Sequence, residues 1–366
     1  MVTPHSRRGR FVDRAAPPFR TNSKGLKLDP HPLLELDGGV DIPTLETFNS
    51  SSVLHAAQFD KASVVAVAQA AALLETTDFS LRKPLDGKLV VTAFFEASTR
   101  TRLSFESAVL RLDGKVLSVP DGQVTGVKKG EALSDIGEML NTYGDAVVMR
   151  HPETSALDEI RTNLTAPLIN AGNGSGQHPT QALLDWYALL KWRPDLAADK
   201  VAEGERVHLG IIGTPGSMRS VNSFTQLALL FEAGIRKITI ISEMADPFGA
   251  TLAQRAQNSP MEIEVTNDLR EVLSDLDVIY MNSIAFLGDD YKTLDSRFKL
   301  ERGSPLKPGS VIMHPLARRD ELDADLDESP HNLYFAQAAG AVFVRQAVLM
   351  AVLGRTGALS DVLKQQ

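Results

Sequence analysis

The chain contains no cysteine. Disulfides, thiolate metal sites, a cysteine nucleophile and iron–sulfur chemistry are therefore excluded. No uninterrupted apolar run reaches the ~18 residues of a membrane-spanning helix, so no membrane is expected as a partner. The N-terminus lacks the apolar stretch of a secretory signal, and no internal repeat of short period is visible. A basic excess is missing as well. Lys and Arg number 38 against 46 Asp and Glu, a formal net charge of −8 over 366 residues. Proteins that track nucleic-acid phosphates usually carry the opposite balance, so no nucleic acid is expected either. What the chain does hold is 43% hydrophobic residues, ample for a packed core, in a length that suits two domains. A soluble, cytoplasmic protein is the expectation.

The charge is uneven. Within residues 1–28, Arg7, Arg8, Arg10, Arg14, Arg20, Lys24 and Lys27 face Asp13 alone, a net +6 that leaves −14 for the remainder. Three prolines and no apolar periodicity accompany this excess, which reads as a disordered tail over residues 1–45. An organelle transit peptide shares the Arg-rich, acid-poor look.

Beyond the tail, apolar runs alternate with helical patterns. Strands are predicted at 89–95, 116–119, 146–149 and 167–170, with helices at 61–75, from Ser98 as N-cap to Gly114, at 131–142 and at 180–191. Within the helix that Ser98 opens, Leu103, Ser107 and Leu110 fall on one face. The pattern restarts with strands at 207–212, 237–242, 263–265, 278–281 and 311–313, helices at 219–232, near 248–256 and at 269–273, and one long apolar helix at 336–353. This alternation implies an α/β protein of two doubly wound parallel-sheet domains, joined near 178–190. The boundaries are placed at 46–185 and 186–335, with the helix 336–355 packing back on the first domain. In open α/β sheets ligands bind beyond the carboxyl ends of the strands, so the interdomain cleft is the expected site.

Polar clusters sit at those strand ends. Ser98-Thr99-Arg100-Thr101-Arg102 lies where a strand passes into a helix, so free N–H groups, the helix dipole, hydroxyls and a forked guanidinium could all meet one anion. A plain N-cap followed by a solvated basic turn accounts equally well for that motif alone. Arg150-His151 and Gln177-His178-Pro179-Thr180-Gln181 follow two further strands and would converge on the same crevice. Gly210, Gly213 and Gly216 follow the strand 207–212, and Glu243 follows the next one. Their spacing is not that of a dinucleotide fingerprint, so a tight strand-to-helix turn carrying Arg219 is the better reading.

The segments FFEASTRTRLSFESAVLRL, VKKGEALSDI, DAVVMRHP, NAGNGSGQHPTQALLD and IMHPLARRDEL resemble the aspartate/ornithine carbamoyltransferase family, and among its members the aspartate enzymes most. The resemblance runs from about Ser52 to Arg355, and STRTR with HPTQ at this separation is highly specific. It implies that carbamoyl phosphate binds the first domain and that an amine attacks its carbonyl carbon. Ser98, Thr99, Arg100 and Thr101 would hold the phosphate, and Arg150 would reach phosphate and carbonyl oxygen. His178 and Thr101 would donate to that oxygen. Gln181 and the main-chain carbonyls of Pro315 and Leu316 would hold the carbamoyl amino group. Thr125 and Lys129 match a loop that a neighbouring subunit inserts in this family, which implies a homotrimer with shared sites. No metal and no cofactor are called for.

The acceptor half departs from the aspartate pattern. Arg219 matches an arginine that grips an aspartate carboxylate. The second anchoring arginine and its glutamine, expected after the strand 278–281, are replaced by Ser283 and Ala285, which cannot supply a charge-assisted fork. Nor does the ornithine pattern fit. Asn282 stands where that branch has aspartate, Phe286-Leu287-Gly288 matches only in part, and His314-Pro315-Leu316-Ala317 has no cysteine. Asp289 and Asp290 could receive an ammonium, or form a solvated turn. The sequence thus points to an acceptor that is not standard aspartate, such as the diamino acid 2,3-diaminopropionate. Aspartate carbamoylation for pyrimidine synthesis is the alternative, with Arg318 or Arg319 standing in for the lost anchor. A catalytically silent homologue is a third reading.

Overall fold

The computed structural model describes residues 24–79, 81–282 and 296–365. Its described strands form two sheets in which every pairing is parallel. The first holds β1 (Leu89–Phe94), β2 (Lys115–Val119), β3 (Ala146–His151) and β4 (Leu168–Asn173) in the order β2-β1-β3-β4. The second holds β5 (Val207–Ile212), β6 (Ile235–Ile241), β7 (Glu262–Thr266), β8 (Val278–Met281) and β9 (Val311–Met313) in the order β7-β6-β5-β8-β9. Fold class and the two-domain α/β plan are those expected from the alternating pattern. β1, β3, β4, β5 and β8 are buried on both faces apart from Leu89, which suits parallel strands covered by helices. The outer strands β2 and β7 are largely exposed.

The strand orders fix where a ligand can sit. In the first sheet the chain steps from β1 outward to β2 and then to β3 on the other side of β1. In the second it steps from β5 outward through β6 and β7 and then to β8. Each sheet thus has one switch point, where helices leave to opposite faces and open a crevice at the strand ends. The end of β3 and the segments after β1, β4, β5 and β8 all reach one cleft.

Local chemistry explains the main helices. Asp60 caps the helix Lys61–Thr76 by accepting from the Ser63 N–H at 2.8 Å, and the Ala-rich body is buried nearly all round. The helix Pro179–Trp192 begins with proline in its first turn, where no N–H is needed, and is buried through its middle turns. Trp186 stacks between Phe224 and Phe231, and Phe224 stacks on Tyr280 of β8, so this helix carries the aromatic core of the second unit.

Several expectations are corrected. Residues 24–45 are not a loose tail. Leu33, Val40 and Leu45 are buried, the short helices His31–Leu34 and Ile42–Glu46 cover the helix Lys61–Thr76, and the Leu26 N–H donates to the Asn332 carbonyl at 2.9 Å. Apolar residues at irregular spacing did this without any periodic signal. The residues before Lys24 lie outside the described part. The helix after β5 ends at Ala228, short of residue 232. The stretch 269–273 forms 3-10 turns, Leu269–Glu271 and the start of Leu273–Asp275. Of the face that Leu103 shares with Leu110, both leucines are exposed, and the buried side of that helix is Thr101, Phe105, Ala108 and Val109.

The long C-terminal helix is two segments, Tyr334–Ala339 and Ala341–Val352, meeting at Gly340. A β-carbon at Gly340 would stand 2.9 Å from the Tyr187 ring, so close packing requires glycine there. Contrary to the expectation from uninterrupted runs, Tyr334–Val352 is long and apolar enough to cross a membrane by length and composition. Its apolar window is 72% buried within the fold. It packs on the helices Lys61–Thr76, Thr99–Arg111 and Pro179–Trp192, so its hydrophobicity serves the core.

Candidate active site

The cleft between the two sheets has a volume of about 800 Å³. Its floor on the first-sheet side is the start of the helix Thr99–Arg111. Ser98 is the N-cap residue, yet its side chain makes no capping bond. The hydroxyl and the unpaired N–H groups of the first turn are therefore available to an anion at the positive end of the helix. Ser98, Thr99, Arg100 and Thr101 all line the cleft, with Arg100 exposed and Thr101 buried. Behind them, Ser104 Oγ donates to the Thr101 carbonyl at 3.0 Å and accepts from the buried Arg345, whose guanidinium lies over the Phe105 ring.

Arg150 is the penultimate residue of β3 and is 8% exposed. Its Nη1 donates to the Ala171 carbonyl at 3.3 Å and its Nη2 to Glu96 Oε1 at 3.2 Å. Its Nε lies 3.1 Å from Glu96 Oε2 but is not aligned to donate. Burial, and then Arg219, pull this guanidinium below its usual value, with Glu96 opposing them. Gly172, at φ +113°, leaves room here, since a β-carbon would stand 3.1 Å from Arg150 Nη1 and 3.3 Å from Arg219 Nε.

His178 is the N-cap of the helix Pro179–Trp192 and is 3% exposed. Its main-chain N–H donates to Ser223 Oγ at 2.8 Å, a link between the two units. Burial first, then Arg150, Arg219 and Arg345, drive its imidazole well below the ordinary histidine range. It is a neutral ring at physiological pH, and its Nε2 has no hydrogen-bond partner among the described residues. A neutral ring with one unpaired nitrogen suits a donor to a carbonyl oxygen rather than a general acid. Gln181 lines the cleft one turn later, and Pro315 and Leu316 line it from the loop after β9. That loop is braced: the Leu316 N–H donates to His314 Nδ1 at 2.8 Å, so His314 Nε2 donates to Glu321 at 2.9 Å.

Arg219 opens the helix Arg219–Ala228 and lines the cleft, but it already holds a carboxylate. Its Nη1 and Nη2 fork onto Glu96 Oε2 and Oε1, each at 3.0 Å, and Nη1 also donates to the Gly174 carbonyl at 2.9 Å. Burial acts to raise the Glu96 carboxyl, but bonds and charge from Arg219 and Arg150 outweigh it, and it sits below its ordinary value. Glu96 thus ties the two arginines, one from each unit, into one cluster. Sequence reasoning missed it, although an acid two residues ahead of the candidate anion-binding turn is an available signal.

Arg318 is a correction. It forks onto Asp327, with Nη2 to Oδ2 at 2.9 Å, and donates to Tyr334 Oη at 3.3 Å. Its guanidinium rests over the Tyr334 and Phe335 rings, and it is not among the residues lining the cleft. It cannot replace a lost acceptor anchor without leaving a buried carboxylate behind. Arg319 is exposed and also outside the lining. Ser283, Ala285, Asp289 and Asp290 lie outside the described residues, while Asn282 lines the cleft. Thr125 sits half-buried between two 3-10 turns, Lys129 is exposed on the second of them, and neither lines the cleft of its own chain. Among the described residues no group of His, Asp and Glu could hold a metal ion.

Comparison with known proteins agrees with this geometry. The profile described as aspartate/ornithine carbamoyltransferase, carbamoyl-P binding domain, matches residues 51–191, and that of the Asp/Orn binding domain matches residues 205–352. The aspartate carbamoyltransferase catalytic subunit of Chromobacterium violaceum is 37% identical over 278 residues, 74% of this chain and 88% of that protein. The chloroplastic aspartate carbamoyltransferase of Arabidopsis thaliana is 34% identical over 319 residues, 84% of this chain and 79% of that protein. The crystal structure of aspartate transcarbamoylase from Trypanosoma cruzi with carbamoyl phosphate and aspartate superposes with a TM-score of 0.72 at 28% identity, covering 85% of this chain and 98% of that one.

Proposed function

The chain belongs to the aspartate/ornithine carbamoyltransferase family, and from that premise we propose that it transfers the carbamoyl group of carbamoyl phosphate to the amino group of aspartate. The observation that carries the donor half is the meeting of Arg100, Arg150 and the open turn at Ser98–Thr101 in one cleft. A dianionic phosphate would take the helix N-terminus and Arg100. The carbonyl oxygen would lie among Thr101, Arg150 and His178, where negative charge grows as the amine attacks. Donors fixed at both places lower the barrier to attack and to phosphate departure, and one such donor is typically worth about 10²–10³ in rate. Arg219 would take one carboxylate of the acceptor, with Glu96 yielding or sharing its hold.

Aspartate is favoured because the relatives named above are aspartate enzymes and their likeness spans both domains. One observation favours a second reading, a diamino acid such as 2,3-diaminopropionate. The positions of the second carboxylate anchor hold Ser283 and Ala285, and Arg318 is committed to Asp327. Losing such a contact weakens carboxylate binding by roughly tenfold to a hundredfold. Phosphate release from carbamoyl phosphate, measured across a panel of amines, decides between them. Saturable turnover of aspartate at the highest kcat/KM is expected, and a preference for a diamino acid would install the second reading. Tight phosphonate binding without turnover of any amine would mark a silent homologue.

The site is further proposed to be shared in a homotrimer, with Thr125 and Lys129 reaching a neighbour's cleft. The exposure of Lys129 and the position of both residues away from their own cleft support this. Mixed Lys129→Ala and Arg100→Ala subunits should then regain activity that neither has alone.

A further inference from the structure

Helix Pro179–Trp192 carries a carboxylate that the mechanism above does not use. Asp185 is fully buried, one turn beyond Gln181. Gln181 Nε2 donates to its Oδ1 at 2.8 Å, and Gln337 Nε2 donates to the same oxygen at 2.6 Å. Tyr280 Oη, from β8, donates to Oδ2 at 2.8 Å. Gln337 Oε1 in turn accepts from the His314 main-chain N–H at 2.9 Å, the residue just ahead of Pro315 and Leu316. One acid therefore reaches the cleft by two routes, through Gln181 directly and through Gln337 to the 314–316 loop.

Burial pushes the Asp185 carboxyl up to about 7, and a proton placed on Oδ2, the side of Tyr280, still leaves Oδ1 as the acceptor of both amides. A carboxylate oxygen flanked by two amides accepts from both, so each glutamine must turn its NH₂ toward Asp185 and its oxygen away. Flipping either amide would set two acceptor oxygens against each other in a buried place, at the cost of an unmet hydrogen bond. For Gln181 the oxygen is then the end left for the cleft that it lines. For Gln337 the oxygen is the end that pins the loop of Pro315 and Leu316, which line the cleft and whose main-chain carbonyls the family resemblance assigns to the carbamoyl amino group.

We propose that Asp185 is the positioning residue that makes this wall of the cleft all-acceptor, and so sets its preference for an acyl phosphate bearing an amino group over one bearing a methyl group. The inference rests on the reading of the cleft as a carbamoyl phosphate site and adds the source of its selectivity. Three carbonyl-type oxygens with no donor among them match the two N–H groups of a carbamoyl –NH₂. They leave a methyl group facing unpaired oxygens, which is the kind of mismatch that gives strong discrimination. Gln181 could not hold this polarity alone, because an unanchored side-chain amide presents either end, and the loop, braced at Leu316 by His314, is held to the same junction through Gln337.

Dissociation constants of carbamoyl phosphate, acetyl phosphate and inorganic phosphate, taken from ligand-dependent thermal shifts of the full chain, test the proposal. All three share the phosphate, so the ratio of the first two isolates the amino group. The native protein should bind carbamoyl phosphate at least about tenfold tighter than acetyl phosphate. Asp185→Ala should bring that ratio below about threefold and leave inorganic phosphate within about twofold. Asp185→Asn, which retains one oxygen for both amides, should keep most of the preference. A purely structural role would lower the melting point without moving the ratio, and a folded Asp185→Ala protein with the native ratio overturns the proposal. If Asp185→Ala gives no cooperative melt, Gln337→Met removes one of the two routes and should lower the ratio severalfold; an unchanged ratio there also overturns it. Native protein that binds carbamoyl phosphate no better than inorganic phosphate would instead overturn the underlying reading of the cleft.

Discussion

On the donor side of the cleft, the groups that would meet carbamoyl phosphate come from three strand ends and, Arg150 apart, which shares Glu96 with Arg219, are left open to it. Ser98 spends no bond on capping, Arg100 is exposed, and His178 Nε2 is buried without a partner among the described residues. On the acceptor side the described cations already hold carboxylates: Arg219 forks onto Glu96, and Arg318 onto Asp327. A guanidinium in a motif is thus not yet a binding group. What decides is whether the fold supplies a carboxylate of its own. Glu96 and Asp327 differ in this respect as well. Glu96 lies between Arg150 and Arg219 on the cleft, where an incoming carboxylate could take its place, whereas Asp327 is also tied by Tyr334 and Lys24 outside it.

The contrast can be broken experimentally, beginning with its strongest expected effect. Arg150→Ala should lower kcat by about 10²–10³, since a fixed donor to the developing charge is lost. A change of less than tenfold would remove Arg150 from the reacting centre. Arg219→Ala should act on the other half, raising the acceptor KM roughly tenfold to a hundredfold while the carbamoyl phosphate KM moves little. Equal effects on both constants would mean that Glu96 couples the halves too tightly to be separated.

Arg318→Ala should leave both KM values near native and lower stability by about 1–3 kcal/mol, read as a fall in Tm, because the buried Asp327 loses its forked partner and keeps only Tyr334 and Lys24 among the described residues. A rise in acceptor KM would return Arg318 to the site. The pH dependence of this pair has a definite sign. Hydrogen bonding from Arg318 holds the Asp327 carboxyl at about 2, below its ordinary 3.8. Its stabilising contribution is therefore present above about pH 4 and fades as pH falls toward 2. The stability difference between the native protein and Asp327→Asn should shrink over that window. Smallest of all, the His178 ring should show no titration between pH 8 and 6 by NMR, because burial and three arginines hold it neutral. An imidazole shift in that range would contradict the neutral-donor role.

What was legible in the sequence was local. A motif such as Ser98–Arg102 carries its own backbone, strand end and helix start, so its residues arrive together. The alternation of apolar runs with helical patterns likewise fixed both sheets, because buried parallel strands need continuous apolar stretches. What escaped depends on partners far along the chain. Nothing near Arg318 announces that Asp327 and Tyr334 fold over it, and nothing near Asp185 shows that Gln337, 152 residues later, shares its carboxylate oxygen. The ordered segment 24–45 escaped for the opposite reason: its few leucines follow no period and are buried only because the helix Lys61–Thr76 presents an apolar back to cover. Gly340 hid inside an unbroken apolar run, since the constraint on it is the Tyr187 ring.

Carbon-labelled carbamoyl phosphate tests carbamoyl transfer to aspartate most directly. Incubated with the protein and aspartate, the label is predicted to appear in N-carbamoyl-aspartate in proportion to the phosphate released. Phosphate release that no amine accelerates, or label that passes to another amine while aspartate stays unmodified, would contradict it.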